Sequence, residues 1–245
     1  MKTETASEIA SRTESRPASS GILAIWNDRE DAIAELYERW YLSEHLPERL
    51  GVPGFFAARR YETATGVPRF FTWYDVESPA VLSSADYLAR LAAPSALTRE
   101  VMANFRNMMR TVCSLEYRSP GATLGGCVVA AYVEQPARID DRRLLDAAIA
   151  YERDAGVLGV QAWRAVHDPA HAVTSEAKLR PGGDRRIEAA LIVELLREED
   201  GERLKERVCD ALRACVSREE SASPDISVRG NVYRLLGIWQ SDASA

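Results

Sequence analysis

The chain has 245 residues, of which 46% are hydrophobic and 28% are charged. This composition is typical of a globular protein with one large domain or two domains of about 110 residues each. The 37 acidic and 31 basic side chains give a formal net charge of −6, and no long basic run occurs, which argues against a nucleic-acid partner. No apolar run approaches the roughly 20 residues that span a bilayer.

The N-terminal segment, residues 1–20, is rich in Ser, Thr, Glu and Ala and lacks the apolar core of a signal peptide. We therefore expect a disordered tail and a cytoplasmic protein with no membrane partner. The cysteines show no C-x-x-C spacing, so we expect free and mostly buried thiols. They are Cys113, Cys127, Cys209 and Cys215.

In chain order, the first pattern is an apolar run over residues 21–26, which is typical of a short buried strand. An apolar stripe at helical spacing over residues 33–41 predicts a helix. That helix should end near His45, because Pro47 disfavours the α conformation at Leu46.

Two aromatic, β-favouring runs at residues 55–63 and 69–76 predict a hairpin. Helical spacing follows, breaks at Pro94, and continues on a stripe that includes Phe105. Residues 111–117 then predict a fourth strand. The order β-α-β-β-α-β is the split pattern of ferredoxin-like folds.

The second half repeats this order of patterns. Its predicted strands lie at residues 126–133, 160–166, 186–196 and 231–239, and its helical stripes at residues 144–149 and 204–215. Gly51 and Gly156 begin matching Gly-Val-x-Gly-x-x-Ala-x-Arg segments at an offset of 156 − 51 = 105, and Gly21 and Gly126 differ by the same number. Two anchors at one offset predict an internal duplication.

The repeat and its breakers predict the domain organisation. We expect a tail over residues 1–20, a first module over 21–118, a linker over 119–125 and a second module over 126–240. The second module carries an insertion over residues 167–184, which we expect to be mobile.

A four-stranded antiparallel sheet with two helices on one face leaves its other face bare. Two such sheets in one chain can cover each other. The predicted fold class is therefore α+β, with two tandem ferredoxin-like βαββαβ modules that form an intramolecular dimeric-α/β-barrel. A monomer is then complete, and assembly into a homo-oligomer is compatible with it.

Strand alternation predicts which side chains occupy the bare face of the first sheet. We place the more uniformly apolar set under the helices: Leu23, Ile25, Phe71, Trp73, Cys113 and Leu115. The opposite set is Trp26, Thr72, Tyr74, Ser114 and Glu116. This mixed set suits a partly wet pocket, and a solvent-exposed or well-paired sheet face is the alternative.

Residues 40–61, WYLSEHLPERLGVPGFFAARRY, resemble the EthD-like proteins of the dimeric α/β-barrel superfamily. Those proteins show a Trp-Tyr-x-x-x-His-x-Pro segment, then Pro-Gly-Phe and an Ala-Arg-Arg-Tyr-like strand. Residues 68–78 fit their third-strand pattern, whose tyrosine falls on Tyr74, and residues 90–102 resemble the segment after it. The resemblance covers residues 21–118. It implies a ferredoxin-like fold, pairing of two β-sheets, and relatives that include cofactor-free enzymes acting on aromatic or polyketide-like substrates.

The second half departs from this family pattern. At an offset of 105, His45, Pro47 and Arg49 fall on Ala150, Glu152 and Asp154. We therefore predict one site per chain, located in the first module.

His45 is the leading catalytic candidate, because neutral imidazole exchanges a proton near physiological pH and a helix C-terminus favours the imidazolium. A helix-capping or core role is the alternative. Tyr74 and Glu116 are the other predicted catalytic groups, placed to hold a phenol or a carbonyl. Arginine side chains, Arg59 included, can bind a carboxylate. The predicted substrate-binding residues are Trp26, Arg49, Arg60, Thr72 and Ser114.

Known cofactor motifs are missing from the sequence. His167 and His171 flank Pro169, which prevents a regular helix from presenting both imidazoles to one metal ion. No glycine-rich phosphate loop, G-x-S-x-G or H-E-x-x-H occurs. We predict no metal and no cofactor, although some relatives of this fold ligate haem through histidine.

Two classes of function remain. The first is a cofactor-independent enzyme of the lyase or decarboxylase, cyclase, isomerase or oxygenase type, which acts on a small aromatic or apolar ligand with His45 as acid or base. The second is a non-catalytic ligand-binding or structural barrel.

Overall fold

The structure is a computed structural model that describes residues 19–168, 175–217 and 227–241, so almost all of the predicted tail lies outside the described residues. The first half contains strands β1 (Gly21–Arg29), β2 (Phe55–Glu62), β3 (Phe70–Val76) and β4 (Phe105–Arg118), and helices α1 (Ala34–Trp40), α2 (Leu46–Leu50), α3 (Ala85–Ala92) and α4 (Ala96–Met102). The second half contains β5 (Cys127–Glu134), α5 (Asp141–Ala150), β6 (Val157–Ala165), β7 (Ile187–Leu195), α6 (Glu198–Ala214) and β8 (Val228–Gln240).

The eight strands close into one barrel in the order β1-β3-β2-β8-β5-β7-β6-β4. Two antiparallel pairings join the halves, β2 with β8 and β4 with β6. Each half therefore supplies four adjacent strands, and helices pack on the outside. The predicted α+β fold, with two tandem ferredoxin-like modules in an intramolecular barrel, is confirmed, while the domain limits stay a prediction. No helix in the described part of the chain is long and apolar enough to cross a membrane.

Side chains fill the interior of the barrel. The buried set is Ile22, Ala24, Trp26, Tyr61, Phe71, Trp73, Met109, Cys113, Val128, Ala130, Tyr132, Trp163, Ile187, Ala190, Ile192 and Tyr233. Trp73 stacks on Tyr61 with 4.9 Å between ring centroids and meets Trp163 of the second module edge to face at 5.5 Å. The space in which we predicted a partly wet pocket is therefore an apolar core shared by both modules.

Buried charges lie next to this core. Arg59 lies within 3.5 Å of Asp75 and 3.8 Å of Glu194, and its guanidinium carbon is 5.1 Å from the Trp73 ring centroid. Arg118 is bound to Asp75 at 2.5 Å. Arg59 therefore compensates the charge of two buried carboxylates, while its Nε and Nη1 have no hydrogen-bond partner among the described residues.

The predicted division of strand faces is right for β1 and wrong for β3 and β4. Leu23 and Ile25 do pack under the helices, but Trp73 and Cys113 point into the barrel and Tyr74 lies under the helices. All seven residues of β3 are buried, so polarity could not tell its two faces apart. The register decides, because Leu23 lies opposite Tyr74 and residues opposite each other share a face.

The first helix does not end at His45. A π-helical turn over Tyr41–His45 joins α1 to α2, and Leu46 keeps α-helical dihedral angles of φ −66° and ψ −47°. The Leu46 N–H donates to the carbonyl of Tyr41, five residues back. Our interpretation is that this wider turn accommodates Pro47, which has no N–H and crowds the carbonyl four residues before it. His45 therefore lies inside a continuous helical run, and the predicted helix-dipole effect on it does not apply.

The helical stripe that follows Pro94 is shorter than predicted, because the prediction carried it on to Phe105. α4 ends at Met102, and Phe105 begins β4. Phe105 is buried in the same cluster as Val101, so its spacing from the helix mimics a helical stripe.

The strand register also revises the internal repeat. Gly54 and Gly156 both have positive φ, 87° and 86°, directly before β2 and β6. Both strands then carry a bulge after their first residue. The counterpart of Gly156 is therefore Gly54 and not Gly51, an offset of 156 − 54 = 102. The duplication itself stays a prediction.

Candidate functional site

A small cavity lies between the helical run and the helix-facing side of the first sheet. Its volume is about 20 Å³, which is room for about one water molecule. It is lined by Ile25, Trp40, Tyr41, His45, Arg49, Met102, Phe105, Met108, Arg110, Glu176 and Arg180. Nine of these belong to the first module, while Glu176 and Arg180 reach it from the insertion between β6 and β7.

His45 forms one wall of the cavity. Its ring centroid lies 4.2 Å from that of Trp40, 5.2 Å from Tyr41 and 6.4 Å from Tyr74. In the described part of the chain the imidazole makes these ring contacts and no hydrogen bond. Burial, reinforced by the positive charge of Arg49, lowers the pKa of His45 well below 6.5. The imidazole is therefore a neutral base at physiological pH.

Arg49 lies one helical turn after His45 and is fully buried. Its Nη2 donates to Oε1 of Glu176 at 2.5 Å, while its Nη1 has no hydrogen-bond partner. Burial, the largest single influence, opposes the charge, but Glu176 together with Tyr87 and Tyr74 holds the pKa of Arg49 above its ordinary value. The guanidinium stays cationic, and its Nη1 group remains unpaired.

Tyr74 lies on β3, beneath His45. Its hydroxyl is buried and has no hydrogen-bond partner. Burial, together with the neighbouring Tyr41, raises the pKa of Tyr74 well above 10, so Tyr74 is a neutral phenol. Thr72, two residues earlier on β3, is also buried. Alternation along the strand puts both side chains on the helix-facing side of the sheet.

Arg60 lies outside the cavity. It lines a larger and more open groove of about 730 Å³ on the other side of α1. Its guanidinium binds both carboxylate oxygens of Glu38 at 2.9 and 3.1 Å and lies 3.8 Å from the Tyr41 ring centroid. Arg60 therefore supports the Tyr41 wall of the cavity from behind.

Of the eight predicted site residues, His45 and Arg49 line the cavity, and the other six do not. Tyr74 and Thr72 lie on the helix-facing side of β3 and Arg60 lies in the groove, while the remaining three lie elsewhere. Trp26 is inside the barrel, stacked on Phe71 at 4.5 Å. Glu116 is exposed, and the Ser114 hydroxyl donates to its carboxylate at 2.5 Å. The error in assigning the face of β3 explains why Trp26 was grouped with Tyr74. Ser114 and Glu116 alternate with barrel residues of β4 and therefore share the outer side of the sheet with Tyr74, but they lie away from the cavity. Their predicted roles remain untested.

Sequence reasoning missed four polar side chains around His45. Tyr41 was assigned to the core stripe, while Arg110, Glu176 and Arg180 were not assigned at all. Only Tyr41 had a signal, because it belongs to the same Trp-Tyr-x-x-x-His segment as His45. Glu176 and Arg180 lie more than 120 residues after His45, and only the tertiary fold brings them to the cavity.

Among the described residues, the cavity shows no arrangement for a metal ion, and haem, like any ligand larger than water, does not fit it in this conformation. No group of three or more His, Cys, Asp or Glu side chains in residues 19–168, 175–217 and 227–241 is arranged to hold a metal ion. The cavity beside His45 is far too small for a macrocycle. His167, at the start of the insertion, has an exposed side chain and contacts Glu188, and His171 lies outside the described residues.

The neutral His45 gives a pH prediction. Because its folded-state pKa is lowered below 6.5, the unfolded chain binds more protons than the folded chain just below that value, and stability falls as the pH falls. Between about pH 7.5 and pH 5, the wild type should therefore lose more free energy of unfolding than His45→Gln. Urea unfolding of both proteins at each pH measures this. Equal losses would show that His45 does not titrate differently in the two states.

Comparison with known proteins supports the fold but does not assign the chain to a family. No protein-family model matches the sequence, and no curated protein matches it. The structure is similar to that of an anthrone oxidase-like protein, with a TM-score of 0.54 and 7% identity over 93% of this chain and 95% of the other. It is also similar to a candidate monooxygenase from Fusobacterium nucleatum subsp. nucleatum, with a TM-score of 0.51 and 7% identity over 91% and 95% of the two chains. At this identity the similarity concerns the fold alone.

Proposed function

We propose that this protein is a cofactor-free enzyme of the oxygenase type, related to the EthD-like proteins, that acts on a small aromatic or polyketide-like substrate. The site is the first-module cavity, with His45 as the base. Two things support the substrate class: the resemblance of residues 40–61 to the EthD-like pattern, and the anthrone oxidase-like protein of similar fold. We also propose that the protein is located in the cytoplasm and forms a homo-oligomer.

One observation carries the proposal: two buried polar groups next to His45, Arg49 Nη1 and the Tyr74 hydroxyl, have no hydrogen-bond partner in the part of the chain that the structure describes. The buried imidazole of His45 lies 6.4 Å from the Tyr74 ring and makes no hydrogen bond to the described residues. Each unsatisfied buried group costs on the order of 1–3 kcal/mol. A base, a cation and a phenol donor kept unsatisfied side by side are what proton abstraction next to a carbonyl requires.

The residues divide the proposed reaction among them. With an anthrone as substrate, neutral His45 removes a proton from the acidic ring carbon, the Tyr74 hydroxyl donates to the enolate oxygen, and the nearby positive charge of Arg49 lowers the energy of the anion. The enolate then reacts with one dioxygen, which supplies one oxygen atom to the quinone product and releases the other as water. Dioxygen is the oxidant in this scheme.

Substrate entry requires a change at the insertion. The cavity of about 20 Å³ has room for one water and not for an aromatic ring. Glu176 and Arg180 form the wall that the second module contributes. We propose that the segment containing these two residues moves aside when substrate binds.

A second candidate function is a non-catalytic barrel protein. The filled barrel interior and the small volume of the closed cavity favour it. Under this reading, the polar groups at His45 are only part of the packing, and no substrate turns over.

Dioxygen uptake with an anthrone, followed by an oxygen electrode and by quinone absorbance, tests the two candidates. We expect uptake and quinone to appear in equal amounts with the purified protein. Absence of turnover over a range of anthrones and other phenolic substrates would favour the non-catalytic barrel.

Tyr74→Phe is the sharpest variant for this assay. Removing a buried hydroxyl that has no partner should leave the melting temperature unchanged or raise it, because no hydrogen bond is lost. Turnover should fall about 10–100-fold, because the enolate loses a donor.

Tyr61→Phe is the matched control. Its hydroxyl is also buried and unpaired, but it lies inside the barrel. Turnover of this variant should equal that of the wild type. Equal turnover in Tyr74→Phe and Tyr61→Phe would remove Tyr74 from the proposed site.

A further inference from the structure

We infer that Arg49 forms a carboxylate-binding subsite, that Glu176 of the second module occupies this subsite in the present structure, and that the carboxylate of a small-molecule ligand takes the place of Glu176. The inference deepens the proposed function, on which it rests, by naming an acidic group on the ligand. It concerns binding alone and is testable without turnover.

The geometry of the ion pair supports an exchangeable occupant. Glu176 and Arg49 are 127 residues apart in sequence, and one hydrogen bond of 2.5 Å joins them. A guanidinium offers a planar fork that binds a carboxylate through two parallel hydrogen bonds. Here the second prong, Arg49 Nη1, is buried and unpaired. A free carboxylate can align with both prongs.

The other buried carboxylates are held more completely. Glu188 contacts Arg164 at 3.1 Å and His167 at 2.8 Å. Among the described residues, Glu176 has Arg49 as its one hydrogen-bonding partner. Its position in a short 3₁₀ turn over Glu176–Leu179 also ties it to the fold less tightly than a strand residue such as Glu188.

The charge around the cavity selects an anion. Three arginines line it, and Glu176 is the one carboxylate in the lining. Arg110 donates to the Tyr87 hydroxyl at 2.8 Å, and Arg180 binds Asp184. Glu48 adds a carboxylate within electrostatic range of Arg49 from outside the lining. If Glu176 leaves, the buried Arg49 loses its hydrogen-bonded counter-ion, which favours an incoming anion.

Chemical rescue tests the subsite directly. Glu176→Ala removes a group with the shape of acetate and leaves Arg49 buried and uncompensated, so its melting temperature should fall by several degrees. Sodium acetate should restore most of this loss, compared with sodium chloride at equal ionic strength. The wild type should show no such difference between the two salts. The double variant Arg49→Met/Glu176→Ala should show no rescue, because the cation is gone.

Calorimetric titration with sodium benzoate tests whether a ligand carboxylate competes with Glu176 for Arg49, and it does not depend on the folding of Glu176→Ala. Glu176→Gln keeps the shape of the side chain and removes its charge. Benzoate should bind it about tenfold more tightly than the wild type, because the competing carboxylate is lost. Equal benzoate affinity in the two proteins, or equal stabilisation of Glu176→Ala by acetate and chloride, would overturn the inference.

These outcomes are separable from the proposed function. Rescue and benzoate binding without dioxygen uptake would leave the subsite standing and reject the oxygenase. Turnover without rescue and without tighter benzoate binding would keep the enzyme and reject Glu176 as an exchangeable occupant.

Discussion

Replacing His45 with glutamine should lower turnover about 10²–10⁴-fold, because the proposed reaction loses its general base. His45 is the neutral imidazole in the cavity, and its ring contacts Trp40, Tyr41 and Tyr74. Glutamine fills much of the same space and does not accept a proton near neutral pH. Alanine is a poorer choice, because a cavity left in this buried aromatic cluster would destabilise the fold as well. Steady-state dioxygen uptake and a thermal melt give the two readouts.

His167→Gln is the matched control for this variant. His167 carries an exposed side chain that contacts Glu188 and does not line the cavity. Its replacement should leave turnover unchanged. The opposite pattern for His45→Gln, with full activity and a much lower melting temperature, would show that His45 is structural and that the site is misassigned.

Replacing Trp73 with alanine should destabilise the whole protein by about 3–5 kcal/mol. Trp73 is fully buried at the centre of the barrel, against Tyr61, Phe71 and Trp163. A domain is typically stable by only about 5–15 kcal/mol, so this single change removes a large part of the total. Urea unfolding measures the loss. Trp239→Ala, at a partly buried position on β8 outside the barrel interior, should cost clearly less.

The same experiment tests whether the modules fold as one unit. Trp73 belongs to the first module and Trp163 to the second, and their rings meet at 5.5 Å. The effects of Trp73→Ala and Trp163→Ala should therefore not add in the double variant. Additive effects, or two separate unfolding transitions, would show that the modules are energetically independent.

Hydrophobic periodicity and turn residues predicted much of the first module, because its strands and helices follow these short-range patterns. The apolar run of β1 and the hairpin of β2 and β3 lie where the sequence placed them. The helix containing His45 was cut short because the rule for residues before proline does not anticipate a π-helical turn. That turn places His45 within a helical run, facing the sheet.

A smaller part of the candidate site was predicted. His45 and Arg49 line the cavity, and the Tyr74 ring lies 6.4 Å from that of His45, but on the helix-facing side of the sheet and not inside the barrel. Trp26 was grouped with them because alternation does not show which face of β3 looks into the barrel when all its residues are buried. Glu116 does lie on the outer side of the sheet, but it is exposed and away from the cavity. Glu176 could not be found from the sequence, since no local rule links a residue in an insertion to an arginine 127 positions earlier.

By itself, the sequence determined the α+β class, the repeated order of strands and helices, and the closure of two sheets within one chain. Hydrophobic periodicity follows from the local order of residues, and a sheet with helices on one face needs a cover on the other. Only the tertiary structure decided which face of each strand looks into the barrel, that aromatic rings fill the barrel, and that the second module places Glu176 on Arg49. These features depend on register and on contacts between distant residues, which are set by packing both sheets at once.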